Sequence, residues 1–184
     1  MTTTLFSSGK TGNTLSRVLP RILLSIIAAS TLSLPGQVDA APRPGQTAPN
    51  FTVTSTTGQT VTQNNFRNHV VILDFFATWC QPCRQSIPHL MAMNRKYGNQ
   101  GLQILGLSLD EDGETMVRRF ADELRITYPL ALAGDTVTGD FGVSSVPVMY
   151  LIDKKGKVAE VYRGYSKETA RSMEQALKRL LAEK

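Results

Sequence analysis

The order of strand and helix signals predicts an α/β fold: a mixed central sheet with helices on both faces and an added N-terminal β-hairpin. Three observations carry it. The run 70–77 (VVILDFFA) is apolar everywhere except Asp74, the pattern of a parallel strand covered on both faces. Helical stripes with three- and four-residue spacing then alternate with strand-like runs. Near the C-terminus, two β-rich runs flank Lys155-Gly156 and read as an antiparallel pair that closes the sheet.

The first forty residues read apart from the rest. A basic, Ser/Thr-rich start ends at Arg21, an apolar run follows over 22–34, and Val38-Asp39-Ala40 supplies a small-x-small site. Together these describe a secretory signal peptide cleaved after Ala40. The competing reading is a retained anchor, but a membrane span needs about 20 apolar residues. Ser25, Ser30, Thr31 and Ser33 dilute this shorter run, and no cysteine lies nearby to carry a lipid. The expected division is 1–40 signal peptide, 41–47 exposed and unstructured linker, and 48–184 folded domain, exported to a periplasmic or other extracytoplasmic compartment and not stably inserted in the membrane.

Within the domain, runs 51–54 and 60–62 bracket Gly58 as the edge hairpin, and the strand over 70–77 follows. Residues 81–97 carry Ile87, Leu90, Met91 and Tyr97 on one helical face, with Pro88 expected to kink it. A strand over 102–109 leads to the acidic turn Asp110-Glu111-Asp112-Gly113, where Asp112 is placed to cap a helix striped by Met116, Val117, Phe120 and Leu124. A brief strand after Tyr128-Pro129 and an irregular stretch lead to Val146-Pro147, followed by the hairpin 148–162. Ser166 caps a last helix with Met173, Leu177, Leu180 and Leu181 on one face.

Composition removes some functions. With 41% hydrophobic and 19% charged residues the 184-residue chain has enough apolar content to bury a core. Its net charge of +5 draws +2 from the first forty residues, and no basic block exceeds a pair. No nucleic-acid partner is expected.

The chemistry concentrates at Trp79-Cys80-Gln81-Pro82-Cys83, where a strand gives way to a helix; these are the only two cysteines. Residues i and i+3 share a helix face, within disulfide reach. The unpaired N–H groups and positive dipole at the helix start favour a thiolate, which makes Cys80 the attacking sulfur and leaves Cys83 to resolve a mixed disulfide. Zinc wants about four ligands, and this pair with His69 and His89 is a poor set. Haem attachment needs a His where Arg84 stands. A purely structural disulfide closes too short a loop to stabilise much. Asp74, six residues before Cys80 in an apolar strand, is expected to be buried with a raised pKa and to take the Cys83 proton, against a purely structural role. His89 reads as an exposed helix residue, and 110–112 as a solvated turn in which Glu111 is a candidate redox-tuning group.

These residues resemble the thioredoxin superfamily, and within it the TlpA/ResA-like branch of exported thiol-disulfide oxidoreductases. The likeness rests on 45–51 (GQTAPNF), 73–83 (LDFFATWCQPC), Phe141-Gly142-Val143, Val146-Pro147, and Leu151-Ile152-Asp153 leading into Lys155-Gly156-Lys157. It implies a thioredoxin-like fold without cofactor or metal, with Cys80, Cys83 and Asp74 catalytic. It further implies a cis Pro147 beside the dithiol and a Val146 backbone that pairs with an extended client, with Trp79 and Pro82 completing the client surface. Exported protein thiols or disulfides, apocytochrome c among them, are the implied clients, and a membrane protein the electron donor. Gln81 departs from members that carry an acid there. Peroxiredoxins share the 45–51 entry, but their Pro and Thr or Ser positions are here Leu73 and Ala77. The alternatives to a reductase are a copper metallochaperone, a disulfide-forming oxidant and a peroxidase.

Overall fold

The structure, a computed structural model, describes residues 41–111 and 113–183. The expected signal peptide and its cleavage site, and the Asp112 cap, lie outside the described residues. The first element is the antiparallel pair β1 (Thr52–Thr54) and β2 (Thr60–Thr62), with Gly58 at φ 81° in its turn. A five-stranded sheet follows, built from β3 (Val70–Phe76), β4 (Leu102–Ser108), β5 (Leu130–Leu132), β6 (Val148–Ile152) and β7 (Val158–Arg163) in the order β5-β4-β3-β6-β7. Strands β3, β4 and β5 are parallel; β6 runs antiparallel to β3, and β7 antiparallel to β6.

The apolar run of β3 puts it at the centre of this sheet, buried at all seven positions. Its alternate residues feed two cores. Val71, Leu73 and Phe75 pack with Phe51, Phe141 and Tyr150, whereas Val70, Ile72 and Phe76 pack under α1 (Gln81–Tyr97), α2 (Glu114–Leu124) and α4 (Lys167–Ala182). Strand alternation therefore aims Asp74 toward the second core, the one that also holds both cysteines. Ser166 caps α4 as expected, its hydroxyl accepting the Thr169 N–H at 3.1 Å.

Helix α1 continues as one helix through Pro88. The irregular stretch before Val146 contains a short helix, α3 (Gly134–Asp140). Its sequence, GDTVTGD, has no apolar stripe and two glycines, so its own propensity is poor; burial of Val137 and Phe141 in the first core holds it. Residues 41–47 are exposed over 43–47 but are not the unstructured linker expected. The Gly45 N–H donates to the Val158 carbonyl at 2.8 Å, the Val158 N–H to the Gln46 carbonyl at 2.9 Å, and Thr47 bridges Lys157. Pro42 is buried, and a Cβ on Gly142 would come within 2.4 Å of the Ala41 side chain. At the other edge, Ser55 bridges Ala131 and the Thr56 N–H donates to the Leu130 carbonyl at 2.8 Å.

Candidate active site

Strand β3 ends at Phe76, and the chain turns over residues 77–80 with the Cys80 N–H donating to the Ala77 carbonyl at 3.1 Å. Cys80 is then the N-cap of α1, its Sγ accepting the Cys83 N–H at 3.2 Å. Pro82 falls in the first turn, where its missing N–H has no intrahelical partner to lose. Cys80 and Cys83 are joined as a disulfide with Cα atoms 5.3 Å apart. The pair is asymmetric: Cys83 is 0% exposed and Cys80 4%. Around them Gln81 and Pro82 are exposed, and Trp79 projects into solvent at 74% exposure.

Asp74 lies one strand-face below. It is fully buried, opposite Gly106 of β4 and Met149 of β6, and neither carboxylate oxygen has a hydrogen-bond partner among the described residues. Burial pushes its pKa up to about 7. Tyr128 packs against Gly106, the residue opposite Asp74 on β4. A Cβ on Gly106 would sit 3.4 Å from the Tyr128 ring edge, and the Tyr128 hydroxyl is likewise buried without a partner. Its pKa is raised by burial first and by the charge of Asp74 second.

Antiparallel pairing of β3 with β6 matches Phe75 with Val148. Continued by two residues, that register puts Pro147 beside Phe76 and Val146 beside Ala77, at the strand end from which the redox turn departs. The Val146-Pro147 peptide is cis, Pro147 is buried, and its carbonyl accepts the Gly164 N–H at 2.8 Å. Val146 is half-buried and has no main-chain bond among the described residues.

Two side chains, Asp110 and His89, differ from the sequence reading. Asp110 is buried at 8% exposure rather than part of a solvated turn, because donors 2 and 32 residues away converge on it. Ser108 is the last residue of β4 and Asp110 follows two positions on, just beyond the strand. Glu111, beside it, is exposed. His89 is half-buried, its ring 6.4 Å from that of Tyr165 and its Nε2 without a partner among the described residues. Arg84 is turned away from the dithiol: it forks onto Glu123 of α2 at 2.9 and 3.2 Å and lies 5.0 Å over the Phe120 ring. A groove of about 470 Å³ runs from Trp79 past Arg84 to Met116 and Phe120.

A model of the AhpC/TSA family matches residues 44–161. Thiol-disulfide oxidoreductase ResA of Bacillus thuringiensis (strain Al Hakam) is 34% identical over 137 residues, covering 74% of this chain and 78% of the relative. Thioredoxin-like protein YneN of Bacillus subtilis (strain 168) is 31% identical, covering 72% and 78%. Among solved structures, a thiol:disulfide interchange protein of the thioredoxin family from Chlorobium tepidum TLS superposes with a TM-score of 0.68 at 25% identity, covering 78% of this chain and all of that one.

Proposed function

The chain belongs to the AhpC/TSA family and is a thiol-disulfide oxidoreductase of the ResA type with a Cys-x-x-Cys pair, and from that premise we propose that it acts as an exported reductase of client disulfides through Cys80 and Cys83. The asymmetry of the pair is the observation that carries this reading: one sulfur stands at the helix start within reach of the surface, and the other is wholly enclosed.

In the reduced protein the Cys80 thiolate attacks one sulfur of a client disulfide. A Cys80–client bond forms, the client S–S bond breaks, and the second client sulfur leaves as a thiolate that takes up a proton. Cys83 then loses its proton and attacks Cys80 Sγ. The intramolecular disulfide closes and the remaining client sulfur departs as a thiolate that is protonated, so two electrons have passed from the pair to the client, with one proton from Cys83 and one from solvent. The group behind Cys83 that receives its proton is Asp74, whose pKa of about 7 lets it accept near neutrality and give the proton up again. An extended client segment lies across Trp79 and Pro82 and pairs with the free backbone of Val146 beside Pro147. The oxidised pair is returned to the dithiol by a membrane-bound thiol donor, and exported apocytochrome c thiols are the proposed client class. The leader-like residues 1–40 support export, and among the described residues no helix is long and apolar enough to cross a membrane.

A peroxidase is disfavoured by composition at the site. Leu73 and Ala77 occupy the positions where that chemistry needs Pro and Thr or Ser, and Leu73 packs in the core on the opposite side of the sheet from the cysteines. The test is dithiol-driven insulin reduction without added metal by the chain from Ala41. Turnover is expected, with Cys80→Ser abolishing it and Cys83→Ser arresting at a mixed disulfide with the client. Stoichiometric copper binding without turnover would replace the reductase by a metallochaperone.

A further inference from the structure

The turn that presents Cys80 is tied to the end of β4 by a side-chain network. The Asp110 carboxylate, at the end of β4, accepts the Thr78 N–H at 2.9 Å on Oδ2 and the Thr78 hydroxyl at 2.7 Å on Oδ1. Its Oδ2 also accepts the Ser108 hydroxyl at 2.5 Å, while the Asp110 N–H donates back to that hydroxyl at 3.0 Å. The sheet adds a main-chain link beside these, from the Leu109 N–H to the Phe76 carbonyl at 2.9 Å. Thr78 is the first corner of the turn that closes from Cys80 to Ala77, so every contact Asp110 makes with Thr78 bears on the orientation of Trp79 and Cys80. Two of the three donors that satisfy this buried acid, the backbone N–H and the hydroxyl, belong to one turn residue 32 positions away in sequence, so the network that buries Asp110 also holds the turn.

We infer that Asp110 is a positioning residue of the redox pair: through Thr78 it fixes the turn that delivers Cys80 to the helix start, and its negative charge beside that turn keeps the pair a reductant. The inference rests on the reductase reading above. Other ionisable groups around the pair do less at this point. Arg84 of α1 is engaged by Glu123 of α2, Arg119 and Glu111 are exposed, and Asp74 of β3 is fully buried, opposite Gly106 and Met149. A carboxylate near Cys80 disfavours its thiolate, and a less stable thiolate makes the disulfide harder to reduce, which drives electrons outward to clients.

Charge and geometry are separable by substitution. Asp110→Asn removes the charge and one of the two oxygens that Thr78 uses; Thr78→Val keeps the charge and removes the hydroxyl link alone, so a shift seen only in the first variant belongs to the charge. The rate of Cys80 alkylation by iodoacetamide is followed against pH in the reduced full-length domain, beside insulin reduction. For Asp110→Asn the midpoint of the alkylation profile falls by about 0.5 to 1 pH unit, the size of one charge acting through partly screened surroundings. For Thr78→Val the midpoint stays in place and insulin reduction slows about three- to tenfold, the equivalent of one hydrogen bond. A folded Asp110→Asn variant with the wild-type profile would overturn the role of the charge. Should that variant not fold, Thr78→Val decides alone, since undiminished reduction removes the positioning role. Loss of insulin reduction in the wild type would instead sink the reductase reading and leave the alkylation profiles to be read as they stand.

Discussion

Asp74 sits where an ionised group is most costly, and that cost sets a pH dependence. Its pKa in the folded protein is raised to about 7 by burial, so between the ordinary value of 3.8 and about 7 the native state holds a proton that the unfolded chain has released. The associated stability is complete below the lower value and is lost as pH rises through the upper one. Asp74→Asn is therefore expected to be more stable than wild type at pH 8, by as much as about 4 kcal/mol before relaxation of the site, with the gap nearly closed at pH 4. Urea unfolding at the two pH values measures it. The same variant should slow release of the mixed disulfide more than its formation in stopped-flow, since only the second step uses the Cys83 proton; equal slowing would reduce Asp74 to a structural part. Asp74 was legible in the sequence because it interrupts an apolar strand. Asp110 was not, because the run Asp110-Glu111-Asp112 has the composition of a solvated turn and two of the three donors on its first member come from Thr78, 32 residues away. The cysteines needed only their spacing and their place at a strand-to-helix junction.

Between elements, the pairing of β3 with β4 depends on a residue that has no side chain. Gly106 stands opposite Asp74, and a Cβ there would lie 2.4 Å from Leu130 Cδ2 and 3.1 Å from Phe76 Cε1. Its backbone conformation is an ordinary extended one, so the requirement is space alone. Gly106→Ala is expected to destabilise the fold by about 1 to 3 kcal/mol, the range for overpacking a filled core. Equilibrium urea unfolding checks this, and a midpoint equal to wild type would mean that Leu130 yields freely. Long periodic segments such as α1, α2 and α4 announced themselves in the sequence. Helix α3 did not, since Gly, Thr and Asp supply neither propensity nor stripe and only tertiary burial of Val137 and Phe141 makes it. Residues 41–47 misled for the same reason: Pro42 and Pro44 read as a linker, yet the N–H groups of Gly45 and Ala48 find carbonyls of Val158 and Gly156.

For the molecule as a whole, the parallel strands deliver their C-terminal ends and the start of α1 to one side of the sheet. There Asp110 binds the redox turn, Arg84 is spent on Glu123, and Arg119 in the Trp79 groove is exposed to solvent screening. The reduction potential is accordingly expected near the roughly −270 mV of thioredoxin rather than the roughly −120 mV of DsbA. Equilibration against glutathione buffers measures it, and a midpoint near the DsbA value would recast the protein as an oxidant. The two outermost strands bear on what else such a protein touches. Strand β5 is covered by the Ser55 and Thr56 backbone, and β7 by residues 45–48, with Pro42 and Pro44 lying toward Val161 and Arg163. An unfolded polypeptide that collides with either flank meets, at these positions, hydrogen-bonding groups already in use and prolines that offer none, which disfavours its addition as an extra strand. The same cover works against edge-to-edge pairing of two copies, and leaves the loop end of the sheet as the place where contact with a client chain is followed by chemistry and release.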